Sequence, residues 1–153
     1  QTGMEIYTAL PINWGYNFHL SGDKIYFLFR HGFYEVDLTK RKVIARKDFR
    51  KDVLGDLRDL PDPIFESKYK AWNVWHTTMY EDYIYFTGKK DERNAKFATP
   101  EYLGAFNVKT MTVDWEYKLE DENHTFKFNP VFEADRLYIL DTANRLHVFQ
   151  RES

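Results

Sequence analysis

Asp23-Lys24-Ile25-Tyr26-Phe27, Asp82-Tyr83-Ile84-Tyr85-Phe86 and Asp135-Arg136-Leu137-Tyr138-Ile139 are one pattern written three times: Asp, any residue, Ile or Leu, Tyr, then an apolar residue. An internal repeat is read first, because each copy is one supersecondary unit that buries its apolar face on its neighbours. Each copy opens a strand. The Asp falls in the turn before it, where its side chain is expected to bond nearby backbone amides. The residues after it are expected to form a buried run.

A second strand follows each opener. Eleven residues after the Asp come Tyr34-Glu35-Val36-Asp37-Leu38 in the first copy and Leu146-His147-Val148-Phe149 in the third. In the second copy Gly104-Ala105-Phe106-Asn107-Val108 arrives later, behind a polar insertion around Lys89 to Pro100 that reads as an extended hairpin loop. The alternation of Tyr34, Val36 and Leu38 is the period of a strand with one buried face. A further strand, Val43 to Phe49 and Val113 to Leu119, follows the polar turns Thr39 to Lys42 and Lys109 to Thr112. Short apolar segments before each Asp, namely Phe18-His19-Leu20, His76 to Tyr80 and Pro130-Val131-Phe132, supply the innermost strands.

The chain is therefore expected to be all-β: three four-stranded antiparallel sheets in one domain, with repeats at about 14–49, 72–119 and 126–153. The last copy lacks its outer strand. Met4-Glu5-Ile6-Tyr7-Thr8-Ala9-Leu10 has the length and apolar ends to complete it, as a closed ring uses one terminus to cover a bare edge. The one helical signal is Arg50 to Leu60, where Val53, Leu54, Leu57 and Leu60 recur at helical spacing before Pro61 and Pro63 end it.

Composition agrees. Of 153 residues 18% are aromatic, which favours the pleated surface of a sheet. The formal net charge is −2, so no basic surplus exists to neutralise a nucleic-acid backbone. The run Thr39-Lys40-Arg41-Lys42 reads as a solvated turn. With no cysteine, disulfides, thiolate metal sites and cysteine nucleophiles are excluded. No apolar run approaches the ~18 residues that span a membrane. The compartment stays open.

The repeat resembles the PQQ-type, quinoprotein-like, β-propeller repeat, whose units run "gg-x-v-y-v … l-x-a-l-d-x-x-t-G-x-x-x-W". Asp23 to Phe27 and Tyr34 to Val43 fit the first copy, with Tyr34, Val36 and Asp37 on the "l-x-a-l-d" positions. Asn107, Thr110 and Trp115 fit the second, with Asn107 in place of the Asp. Arg136 to Ile139 and Leu146 to Val148 fit the third. The Gly after Thr is Arg41 in the first copy and Met111 in the second, and the Trp survives only as Trp115. The resemblance implies sheets of β-propeller type, with Met4 to Leu10 completing the last. It does not imply quinoprotein chemistry, because no residues matching that family's cofactor and calcium site are visible. Such rings hold roughly four to eight blades. Three blades thus suggest either a homodimer forming a six-bladed ring or a compact three-sheet monomer.

Trp72-Asn73-Val74-Trp75-His76 is the most distinctive local feature, with Trp14 in a comparable place before the first copy. Indoles at the entry to inner strands stack on ligands or anchor interfaces. Trp14, Trp72, Trp75 and His76 are therefore the candidate ligand- or partner-binding residues, and the alternative is that their rings pack between sheets. No His spacing suits zinc. No acidic loop has the ligand spacing of calcium, so Glu81-Asp82 and Glu120-Asp121-Glu122 read as solvated turns. His31 reads as a turn residue and His147 as half-buried packing. No catalytic residue, metal or cofactor is expected. The expected function is a non-catalytic protein-interaction module: an immunity or inhibitor protein, an adaptor or an assembly subunit. It would present the links Arg50 to Trp75 and Lys89 to Pro100 to a protein partner. A small-ligand or glycan-binding propeller is the alternative, and a hydrolase built from scattered Asp, Glu and His the third reading.

Overall fold

The computed structural model describes residues 18–50, 72–90 and 100–152. These residues form eleven antiparallel strands in three sheets. The first sheet is β1 (Phe18–Ser21), β2 (Lys24–Phe29), β3 (Gly32–Asp37) and β4 (Lys42–Asp48) in sequential order. The second is β5 (Trp72–Tyr80), β6 (Tyr83–Lys90), β7 (Tyr102–Asn107) and β8 (Thr112–Lys118), again in order. The third is β9 (Phe126–Glu133), β10 (Arg136–Asp141) and β11 (Leu146–Gln150). The third sheet thus has three strands among the described residues. Met4 to Leu10, the segment expected to complete it, lies outside them, as do Trp14 and the expected helix beyond Arg50. β5 and β9 begin several residues earlier than the apolar runs suggested, at Trp72 and Phe126.

The repeated Asp closes a two-residue hairpin in every sheet: Gly22-Asp23, Glu81-Asp82 and Ala134-Asp135. The first residue of each pair is left-handed, with φ of 60° at Gly22, 52° at Glu81 and 49° at Ala134. That handedness matches the twist of the flanking strands. The Asp works differently from the expectation. Its backbone carbonyl accepts the amide of the residue after the next strand, from Leu38 to Asp23 at 2.8 Å, Val108 to Asp82 at 2.9 Å and Arg151 to Asp135 at 3.0 Å. The side chains of Asp23 and Asp82 reach across to Thr39 Oγ1 at 3.4 Å and Lys109 Nζ at 2.9 Å. One turn is thereby tied to the next.

The β3–β4 and β7–β8 turns are also matched. Asp37 Oδ1 accepts the Lys40 amide at 2.8 Å, and Asn107 Oδ1 accepts those of Lys109 at 2.9 Å and Thr110 at 3.3 Å. Arg41 (φ 52°) and Met111 (φ 58°) then adopt left-handed backbone at the position where the resembled repeat has Gly. Just beyond, the register shifts between Glu35 and Val36 and between Ala105 and Phe106, leaving Ile44 and Asp114 as extra residues. Such a bulge reverses the alternation of the strand. Val113 consequently packs towards the first sheet, while Trp115 and Tyr117 turn towards the third.

Two seams hold the sheets together. In the first, Leu28, Phe33 and Phe49 meet Val74, Ile84, Phe86, Phe106 and Val108, all buried. Phe33 and Phe106 lie 4.7 Å apart, and Phe49 meets Phe106 edge-on at 5.8 Å. Arg30 and Val74 exchange both backbone hydrogen bonds, at 2.9 and 2.7 Å. In the second seam Tyr85, Leu103, Ala105 and Leu119 meet Phe126, Leu137 and Ile139. Phe132 stacks on Tyr80 at 4.2 Å and on Tyr85 at 5.0 Å.

Candidate functional site at the open side of the third sheet

Tyr26, Tyr85 and Tyr138 occupy the same position of the three repeats. Tyr26 and the fully buried Leu28 pack towards the second sheet, and Tyr85 towards the third. Tyr138 points the same way from the third sheet, where no sheet follows among the described residues. The register sets Val131, Tyr138 and Val148 in one row and Leu140 beside Leu146 in the next. On this face Val131 is 55% accessible, Leu146 58%, Val148 49% and Leu140 38%.

The outer edge of this sheet is also without a paired strand among the described residues. The Arg151 amide bonds Asp135, so strict alternation turns the amides of Phe149 and His147 towards β10. The amides of Leu146, Val148 and Gln150 then point outwards, and no strand among the described residues pairs with them.

A cleft of about 710 Å³ lies between the second and third sheets, walled by Tyr83, Tyr85, Trp115, Phe132 and Phe149 with Asp114 and Arg151 at its polar side. Its origin is visible in the first seam. There Val108 is buried in the core and Met111 packs against it. By the matched carbonyl bonds, Arg151 holds the place of Val108. Its guanidinium turns away to Glu81 at 2.6 Å and lies over the Tyr83 ring at 5.7 Å. No described residue corresponds to Met111. At the rim Asp114 accepts from Thr112 Oγ1 at 2.6 Å, Tyr83 Oη at 2.9 Å and Asn107 Nδ2 at 3.2 Å. The bonds from Thr112 and Tyr83 hold its carboxyl below the usual range, and the same contact pushes the Tyr83 phenol up.

Of the sequence-derived candidates, Trp14 lies outside the described residues and the other three share one strand. Trp72, Trp75 and His76 all lie on β5, with Trp75 as the extra residue of a register shift between Val74 and His76. Trp72 is buried in the first seam, edge-on to Phe86 at 5.1 Å and Tyr102 at 5.3 Å, with Lys90 Nζ 4.9 Å from its ring centre. His76 lies 3.3 Å from Thr87 Oγ1, and burial pushes its imidazole below the ordinary value. His19 sits 2.8 Å from Thr77 Oγ1 and is lowered for the same reason.

One cluster escaped the sequence. Asp141 is fully buried and accepts the amides of Ala143 at 2.8 Å and Arg145 at 3.0 Å, Arg145 Nε at 2.7 Å and His147 Nε2 at 2.8 Å. Burial alone would raise its pKa, but the bonds from His147 and Arg145 outweigh that and hold it far below the carboxylate range. His147 is thus more than packing. The signal was present in Asp141, Arg145 and His147 flanking one tight hairpin. The arrangement organises the β10–β11 turn. Glu81 and Asp121, read as solvated, hold Arg151 and Arg145. Among the described residues no group of three His, Asp or Glu is placed to hold a metal ion, and no helix is long and apolar enough to cross a membrane.

No protein-family model and no curated protein matches the chain. Solved structures do. A europium-containing methanol dehydrogenase superposes with a TM-score of 0.54 at 12% identity, covering 88% of this chain and 22% of that one. Kluyveromyces lactis Hsv2 superposes with a TM-score of 0.47 at 12% identity, covering 88% of this chain and 32% of that one. The chain spans about a fifth of the dehydrogenase's length. At such identity the likeness concerns fold alone: three antiparallel sheets in a β-propeller-like arrangement.

Proposed function

We propose that this chain is a non-catalytic protein-interaction module whose partner covers the outward face of the third sheet. The observation that supports this reading is the apolar surface of Val131, Tyr138, Leu140, Leu146 and Val148. The repeat-equivalent faces of the first two sheets each pack against another sheet. Covering it removes apolar area from water at roughly 25 cal/mol per Å². The face lies on the paired strands β9, β10 and β11, so its backbone is ordered before association. The small-ligand or glycan reading from Trp14, Trp72, Trp75 and His76 draws less support, because Trp72 is enclosed by Phe86 and Tyr102.

Photo-crosslinking in the producing cell tests the proposal. A photoreactive residue at Val148 or Leu140 is expected to give one dominant protein adduct, and one at the exposed Lys42 none. No adduct at Val148 and Leu140, or the same adducts at Lys42, would count against it.

A further inference from the structure

We infer that the cleft between the second and third sheets binds an organic cation with an alkylated ammonium head, received by aromatic rings and the Asp114 carboxylate. The site lies across the third sheet from the face assigned above to a protein partner, and neither reading rests on the other. Its lining comes from strands β6 to β11 and the two residues after β11. At about 710 Å³ the cleft has the size of a small-molecule site.

The charge and the rings of the lining select the ligand. Tyr83, Tyr85, Trp115 and Phe149 supply ring faces, which carry negative potential and attract cations. The chain itself shows that attraction, since Arg151 lies over the Tyr83 ring at 5.7 Å. This guanidinium leaves the cleft no positive surplus, because Glu81 balances it at 2.6 Å. Asp114 is held by Thr112, Tyr83 and Asn107, and none of these donors carries a charge. Glu152 adds a second carboxylate to the lining. Carboxylate and ring faces therefore draw the same sign of charge into one space. The deeper wall decides the form of the head. A bare ammonium has three N–H donors to satisfy, and the side chains of Ala105, Phe132 and Leu137 offer no acceptor. A methylated nitrogen has no such need and packs its methyl groups on the rings.

The probe is choline, added to the full chain while the indole N–H resonance of Trp115 and the methyl line of choline are followed by NMR. The control is its uncharged isostere, in which a tert-butyl group replaces the trimethylammonium head. Choline is expected to shift the Trp115 resonance saturably and to bind about tenfold more tightly than the isostere. Asp114→Asn keeps the shape of the side chain and is expected to weaken choline about fivefold with its circular dichroism retained. Trp115→Ala, read through the choline methyl line, is expected to weaken it as well. Glu122→Gln removes the same charge from an exposed turn outside the cleft and is expected to change nothing. Equal binding of the isostere would overturn the inference, as would binding that survives both Asp114→Asn and Trp115→Ala. So would the lack of any response to choline at concentrations that leave the fold intact, including the case in which residues 4–10 fill the cleft. A response to neutral sugars alone would overturn it too. None of these outcomes bears on crosslinking at Leu140, which tests the proposed function separately.

Discussion

The two seams of this protein are built from the same repeat positions and have opposite character. The first is closed by Phe33, Phe49, Phe86 and Phe106, with Val108 and Met111 filling its end. The second begins the same way, with Tyr85 stacked on Phe132, but ends in a cleft where Arg151 replaces Val108. A β-sheet repeat therefore fixes the spacing of its layers, while a few positions at the end of each unit decide whether the seam closes or opens.

The largest expected effect tests the closed seam. Phe106→Ala removes a fully buried ring that touches both Phe33 and Phe49 and should cost about 3–5 kcal/mol in urea denaturation. Phe149→Ala, in the open seam, should cost only about 1–2 kcal/mol. Equal losses would break the distinction between the seams.

The next effect lies in the third sheet. Asp141→Ala strands Arg145 and His147 and should cost about 2–3 kcal/mol. The wild-type carboxyl titrates below its unfolded value. Its contribution is thus complete above the unfolded pKa of about 3.9 and is lost as pH falls towards the folded value. Acid denaturation below about pH 4 should accordingly be shallower in Asp141→Ala than in the wild type, and parallel curves would show that Asp141 does not anchor this sheet.

Gly104→Ala returns to the packing of the second sheet. A Cβ there meets the ring of Phe86, which is itself fully buried. The loss should be about 1–3 kcal/mol. The smallest effect is favourable. Arg41→Gly relieves a left-handed non-glycine residue on the surface and should raise stability by up to about 1 kcal/mol in the same assay. Met111→Gly should not, because Met111 also packs into the first seam. A gain at both positions would show that Met111 does not help close it.

Much of this fold was legible because the Asp-x-Ile-Tyr pattern marks a strand opening, and alternation marks the strands beside it. β5 and β9 were read too short since Asn73, Lys127 and Asn129 interrupt their apolar pattern. The bulges at Ile44 and Asp114 were hidden for a related reason: a reversal of alternation looks like a broken pattern until the partner strand is known. The missing outer strand of the third sheet was legible, but its exposed face was not. Val131, Leu140, Leu146 and Val148 look like core residues in sequence, and only the stacking order shows that no sheet among the described residues lies over their face. Trp72 was ambiguous by the same logic, since an indole at a strand entry serves a ligand or a seam equally well.

The paired backbone bonds between Arg30 and Val74 carry a mechanical consequence. They bridge the first two sheets with one pair of main-chain bonds, so tension that separates the sheets must break both bonds in concert. Among the described residues the third sheet is joined to the second through the Phe126 amide and the Pro100 carbonyl, at 2.8 Å, and otherwise through side chains. A chain pulled from its C-terminal end should therefore yield in two steps, with the third sheet peeling away at low force while the first two hold together.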